Sequence, residues 1–251
     1  MISTLGSIVI TGGSRGIGAA TARLAAERGY AVCINYVKGG AAAEQLAEEL
    51  SAKGALATTY RADVSVEADV VGLFEHAERE LGPLVGLVNN AGILERQTRA
   101  ENIDVARLQR VFSVNVFGSF LCAGQARRRM STRLGGRGGA IVNVSSSAAR
   151  LGSPNEYVDY AASKGAIDTF TLGLSKELGE EGIRVNAVRP GLIHTEMHAS
   201  GGEPNRVERL AATVPLRRGG SAQEVAEAIV WLLSPQAAFV TGALLDVTGG
   251  R

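Results

Sequence analysis

Short apolar runs alternate along this chain with longer segments whose apolar residues recur at helical spacing. The short runs predict buried strands and the longer segments predict amphipathic helices. Strands are expected at 7–10, 31–36, 55–61, 85–89, 140–144, 183–188 and 243–247. Helices are expected between them at 17–27, 41–52, 67–81, 104–130, 157–179 and 222–233. Gly54 and the pair Gly82-Pro83 act as stops, and Asp104 is a suitable N-cap. Strands that are apolar on both faces and separated by helices imply an α/β fold. The pattern fits three layers: a doubly wound, seven-stranded, mainly parallel sheet with helices on both faces. No linker or shift in composition divides the chain, so a single domain over 1–251 is expected. Residues 194–215 break the rhythm with Gly201-Gly202, prolines and charges. Following a strand end, this segment is expected to form a mobile lid.

Composition narrows the function classes. Lys and Arg total 26 against 25 Asp and Glu, a net charge of +1. Such a balance gives no reason to expect nucleic acid or an acidic membrane surface as a partner. Arg127, Arg128, Arg129, Arg133 and Arg137 form a local cluster, read as a solvated helix end and loop. Cys33 and Cys122 lie in apolar surroundings without ligand-spaced partners and are expected to be core thiols. His194 and His198 have no third ligand at suitable spacing, so no metal site is expected and both read as pocket or lid residues. No apolar run reaches the roughly 18 residues of a membrane span, and a cytoplasmic location is the default expectation.

Candidate chemistry concentrates at strand ends. The first strand runs into Thr11-Gly12-Gly13-Ser14-Arg15-Gly16-Ile17-Gly18. Glycines here let the backbone turn tightly toward a pyrophosphate at the following helix N-terminus. An acid that would take a ribose 2′-OH is absent after the second strand, where Asn35-Tyr36-Val37-Lys38 stands. Arg15 and Lys38 can instead face a 2′-phosphate, which favours NADP over NAD. Asp63, with Val64 after the third strand, either accepts from an adenine amine or caps the next turn. Asn89-Asn90-Ala91-Gly92 is either a close-approach site for a cofactor or an ordinary Asn/Gly turn. Tyr160 and Lys164 are four apart, on one face of the predicted helix 157–179. A neighbouring ammonium lowers a phenol's pKa, and a tuned phenol exchanges protons with a carbonyl or alcohol oxygen. The run Ser145-Ser146-Ser147 offers hydroxyl donors for the same oxygen.

In order and spacing these motifs resemble the short-chain dehydrogenase/reductase family over essentially the whole chain. The resemblance rests on Thr11–Gly18, Asn89–Gly92, Asn115, the serine run, Tyr160-x-x-x-Lys164 and Pro190-Gly191. It implies a compact Rossmann-like domain that moves hydride between NADP(H) and a carbonyl/alcohol substrate. It further implies a catalytic set of Asn115, a serine, Tyr160 and Lys164. Tyr160 would be the acid/base, Lys164 would lower its pKa and hold the nicotinamide ribose, and Asn115 would anchor a water. From the residues alone, Asn115 is equally a hydrogen-bonded core amide. Counting from Asn143 along the strand selects Ser146, whereas the commonest family spacing back from Tyr160 selects Ser147. Strand register is the firmer guide, because a loop absorbs an extra residue more easily than a sheet does. Gly12, Gly16 and Gly18 match the cofactor turn, and Tyr36 occupies the position where NAD-dependent members often carry Asp. Pro190, Gly191, Ile193 and Thr195 match the segment that fixes the nicotinamide carboxamide. Glu95, Arg96 and the lid are expected to shape substrate choice. Family practice also implies a homodimer or homotetramer through the helices at 104–130 and 157–179. Alternative readings are a 3-oxoacyl thioester reductase, a sugar dehydrogenase on the same scaffold, or a non-catalytic nucleotide sensor.

Overall fold

The computed structural model describes residues 4–251. Its strands are β1 (Ser7–Ile10), β2 (Ala31–Tyr36), β3 (Ala57–Arg61), β4 (Leu84–Asn89), β5 (Gly139–Val144), β6 (Ile183–Pro190) and β7 (Leu244–Val247). They form one seven-stranded sheet in the order β3-β2-β1-β4-β5-β6-β7. Every neighbouring pair is parallel. The helices are α1 (Gly16–Glu27), α2 (Gly40–Ala52), α3 (Glu67–Leu81), α4 (Val105–Phe112), α5 (Gly118–Met130), α6 (Ala148–Leu151), α7 (Val158–Leu178), α8 (Met197–Ser200), α9 (Arg206–Leu210) and α10 (Ala222–Leu233). Among the described residues, no helix is long and apolar enough to cross a membrane.

Alternation along the strands produces two cores. Ile8 and Ile10 of β1 join Ile34, Val142 and Val188 in a cluster closed by Leu24, Leu46 and Ile229 of α1, α2 and α10. Val9, between them, turns to the opposite face with Cys33, Leu87, Ile141 and Val185. There Leu73, Phe74, Met130 and Leu178, from α3, α5 and α7, complete the second cluster. Each such side chain contributes roughly 1.5–3 kcal/mol on burial. Both thiols lie within the second core, and burial pushes Cys33 and Cys122 up to about 12.

Three segments differ from the sequence pattern. β3 begins at Ala57 rather than 55, because the Ala55 N–H closes α2 by donating to Leu50 O at 3.1 Å. The helix expected over 104–130 starts as predicted, with the Asp104 carboxylate accepting the Arg107 N–H at 2.7 Å. It is then interrupted by a π turn at Ser113–Phe117, which separates α4 from α5. Apolar periodicity does not reveal an inserted residue of this kind. The lid segment is not irregular throughout, since α8 and α9 form within it.

Arg184 of β6 closes the C-terminus of α10. Its Nη1 donates to Leu232 O at 2.7 Å and Val240 O at 3.3 Å, and its Nη2 donates to Leu233 O and Ser234 O at 3.2 Å each. Orphan carbonyls of the helix end are thereby satisfied by a cation, which also suits the helix dipole. Arg184→Met is expected to lower unfolding stability by about 2 kcal/mol. A urea midpoint equal to wild type would show that this cap contributes nothing.

Candidate active site

The β1–α1 turn is shaped by glycines and by polar side chains. Gly12 and Gly16 take φ values of 60° and 52°, in the left-handed region. A Cβ on Gly18 would lie 2.5 Å from Gly12 O and 2.7 Å from Asn90 Nδ2, so only glycine lets the turn fold onto its own helix. Asn35 Oδ1 accepts the Gly12 N–H at 3.2 Å, while its Nδ2 donates to Ala62 O at 2.9 Å. Thr11 Oγ1 accepts the N–H groups of Asn90 and Ala91 at 3.0 Å each. Asn90 Nδ2 donates to Thr11 O and Gly12 O at 2.9 Å each. Thr11, Asn35 and Asn90 thus join the carboxyl ends of β1, β2 and β4. Thr11 and Asn90 lie within the motifs that carry the family resemblance, whereas Asn35 shows only polarity at the end of an apolar run.

A cavity of about 430 Å³ opens over these strand ends. Gly12, Ser14, Arg15, Gly16, Ile17, Tyr36, Lys38, Asp63, Val64, Ala91, Gly92 and Thr195 all border it. Two residues predicted with them do not. Gly18 is packed beneath the turn. Asn89 is buried, and its Nδ2 donates to Asn143 Oδ1 at 2.9 Å and Ser119 O at 3.3 Å. Asp63 turns one carboxylate oxygen inward on its own loop, accepting the Ser65 N–H at 2.9 Å and the Ser65 hydroxyl at 2.7 Å. It also borders the cavity from that turn, and its Ser65 contacts are those of a turn cap.

The lining fits a dinucleotide. No side chain caps the N-terminus of α1, which leaves its first N–H groups free for an anion. Cationic Arg15 and Lys38 border the cavity, as does Tyr36. Gly92 borders the cavity close to the site side chains: a Cβ there would lie in ordinary contact with Asn115 Oδ1 at 3.5 Å and Lys164 Nζ at 3.6 Å.

A second cavity of about 440 Å³ continues from the first, sharing Ile17, Asn90, Leu94, Thr195 and Met197. Ser146, Tyr160, Lys164, Pro190, Gly191 and Ile193 line it. α7 presents Tyr160 and Lys164 on one face, and the Lys164 ammonium nitrogen lies 5.6 Å from the centre of the Tyr160 ring. Lys164 Nζ donates to Val144 O at 2.7 Å. Burial lowers the Lys164 ammonium to about 8, against an opposing pull from Asp168. Burial also pushes the Tyr160 phenol up to about 12, opposed by contact with the Ser146 hydroxyl. The phenol therefore lies above its ordinary value, because loss of water outweighs the Ser146 hydrogen bond.

The serines separate cleanly. Ser145 Oγ is buried and donates to Lys164 O at 3.2 Å. Ser147 fixes the loop by donating its N–H to Pro190 O at 3.0 Å. Ser146 Oγ accepts the Ala148 N–H at 3.1 Å and is the hydroxyl that meets the phenol. Asn115 lies on the π turn and lines neither cavity. Its Oδ1 accepts the Ile93 N–H at 2.8 Å, and its Nδ2 donates to Ile93 O and Ser163 Oγ at 3.1 Å each. It is a buried amide tying the loop after β4 to α7.

The lid covers the second cavity. His198 Nε2 is 3.0 Å from Ile193 O, and burial holds this imidazole below its ordinary value. Arg206 pairs with Glu156 at 3.0 Å and Glu203 at 2.8 Å, its guanidinium over the Tyr157 ring. The Tyr157 hydroxyl donates to Gly201 O at 3.3 Å. Leu94, Leu192 and Met197 supply an apolar wall that the sequence did not distinguish from core.

A family model described as enoyl-(acyl carrier protein) reductase matches residues 12–251. A relative named uncharacterized oxidoreductase YgfF, from Escherichia coli strain K12, is 56% identical over 243 residues, covering 97% of this chain and 98% of that protein. The crystal structure of a blue fluorescent protein from a metagenomic library in complex with NADPH superimposes with a TM-score of 0.89 at 35% identity, covering 100% of this chain and 99% of that one. The 3-ketoacyl-(acyl-carrier-protein) reductase of Brucella melitensis, complexed with NADH, gives a TM-score of 0.91 at 32% identity, covering 99% and 98%. With a Rossmann-like sheet, a glycine turn and a Tyr/Lys pair at its carboxyl edge, the chain belongs to the short-chain dehydrogenase/reductase family of nicotinamide-dependent oxidoreductases of alcohol and carbonyl groups.

Proposed function

We propose that this enzyme interconverts a carbonyl and an alcohol with NADP(H), and that Tyr160 is its acid/base. The observation that carries this reading is the junction of the two cavities. There Ser146, Tyr160 and Lys164 line the wall beyond the glycine turn. In reduction Tyr160 gives its phenolic proton to the substrate oxygen, and in oxidation it takes that proton back. A phenol near 12 is fully protonated at neutral pH, as an acid for reduction must be. Ser146 holds the same oxygen by a hydrogen bond. Lys164, anchored on Val144 O, sets positive potential behind the phenol as charge leaves it. Pro190, Gly191, Ile193 and Thr195 form the wall suited to the carboxamide of a nicotinamide. When bound, the nicotinamide supplies or accepts the hydride. Asn115 ties the loop after β4 to α7 through its amide hydrogens on Ile93 and Ser163, and its oxygens keep lone pairs that can accept from the water the family resemblance implies. Arg15 and Lys38, with Tyr36 in place of an acid, support NADP over NAD. Exposed Phe117, Phe120 and Leu172 on the outer faces of the π turn, α5 and α7 support assembly as a homodimer or homotetramer.

Tyr160→Phe is expected to lower kcat by at least about 100-fold while NADPH affinity changes little. Near wild-type turnover of an identified carbonyl substrate would remove the proposed acid/base. Lys164→Met should be comparably impaired yet no less stable at pH 7. Its folded-state pKa, about 8, lies below the unfolded value near 10.5. Burial of the ammonium therefore opposes folding most below pH 8, and the penalty fades as pH rises toward the unfolded value. A melting temperature for this variant well below wild type at pH 7 would contradict that account. Replacing Arg15 and Lys38 together by Gln should raise the Kd for NADPH roughly tenfold or more and leave that for NADH little changed, as fluorescence titration would read.

A further inference from the structure

An ion pair beside the site has no place in the chemistry described so far. Arg107 of α4 and Asp159 of α7 are buried. Arg107 Nε donates to Asp159 Oδ2 at 2.6 Å and its Nη2 donates to Asp159 Oδ1 at 3.1 Å, a two-pronged contact. The third nitrogen, Nη1, donates to the carbonyl of Arg96 at 2.7 Å, in the loop that follows β4. The backbone N–H of Arg107 is itself held by Asp104 at 2.7 Å. Asp159 immediately precedes Tyr160 in the first turn of α7. Burial works to raise its carboxyl, but the Arg107 fork and the peptide N–H of Tyr160 outweigh it, leaving Asp159 below the ordinary carboxylate range.

Two charges taken out of water are poor stabilisers, because desolvation offsets most of their attraction. An apolar pair of similar volume would pack α4 against α7 at least as well. What the ionic pair adds is direction. A guanidinium fork fixes a carboxylate in plane as well as in distance. Here one hydrogen-bonded set joins the start of α4, the first turn of α7 at Asp159 and the loop bearing Leu94, which lines the substrate cavity.

We propose that Arg107 and Asp159 are positioning residues that hold the Tyr160 phenol in register with the loop wall against which the substrate rests. The proposal rests on the acid/base reading of Tyr160. A phenol displaced by about 1 Å is expected to cost up to about 100-fold in rate without disturbing the cofactor turn.

The test is the double variant Arg107→Met/Asp159→Leu, with Arg107→Lys and Tyr160→Phe alongside. Activity is scored per NADPH-binding site, so that loss of folded protein does not register. The double variant is expected to keep the wild-type melting temperature and Kd for NADPH, while kcat falls roughly 10- to 100-fold. Its solvent deuterium isotope effect on kcat should rise, because proton transfer from a misplaced phenol becomes slower than other steps. Arg107→Lys keeps the charge but not the fork, and should show the same fall in kcat with an unchanged Kd. It carries the test if the double variant does not fold. Wild-type kcat in either folded variant would overturn the proposal. Should Tyr160→Phe stay active, the acid/base reading fails. Should Tyr160→Phe be inactive while Arg107→Lys keeps full kcat and isotope effect, only the positioning role fails.

Discussion

A parallel sheet that winds in both directions leaves a crevice where the winding reverses, and in this molecule the crevice lies between β1 and β4. Helices after β1 and β4 depart to opposite faces, so no element crosses the carboxyl ends of these two strands. Everything functional follows from that gap. The glycine turn fills one side of it without side chains. The Thr11–Asn90 contacts bind its two lips together, so the space is held open by hydrogen bonds instead of being closed by apolar collapse. β5 and β6, on the β4 side, extend the crevice toward the serine run and Pro190.

Burial is the price of that arrangement. Lys164 is 4% exposed, with its ammonium on the carbonyl of core residue Val144. The same loss of water that depresses its pKa raises that of Tyr160. From ordinary values of 10.5 and 10.0, the amine falls to about 8 and the phenol rises to about 12, so the two are driven further apart in acidity than they are in solution. Proton exchange between a substrate oxygen and this pair is thus set by the common environment as much as by mutual attraction.

Most of the fold was legible because parallel strands are buried on both sides and read as continuous apolar runs. α3 and α10 fall within the predicted limits, the latter aided by a Ser221/Glu224 capping box. The π turn was not legible, since its single phase shift lies inside one long apolar helical stretch that also reads as a continuous helix. Within the site, the glycines, Tyr160 and Lys164 were visible because few residue types can do their work. Asn89 and Gly18 looked like cofactor contacts, but they serve the framework behind the crevice. Asn90 and Asn35 both brace the strand ends by hydrogen bonds and border the cavity. Nor did the pattern single out Arg107 and Asp159, since a charge on a predicted helix is ordinarily a solvated one.

The π turn also ties the interior to the outer surface. An α-helix advances about 100° per residue, so one residue more or fewer rotates all that follows by more than a quarter turn. Ser113–Phe117 places Asn115 inward, and in the same step it sets the azimuth of α5. Phe117 and Phe120 emerge at the surface on that azimuth, with Phe120 stacked on Phe170 of α7 at 3.8 Å. A deletion within this turn would therefore re-phase an entire external aromatic face, so insertions and deletions here are constrained from outside as strongly as from within.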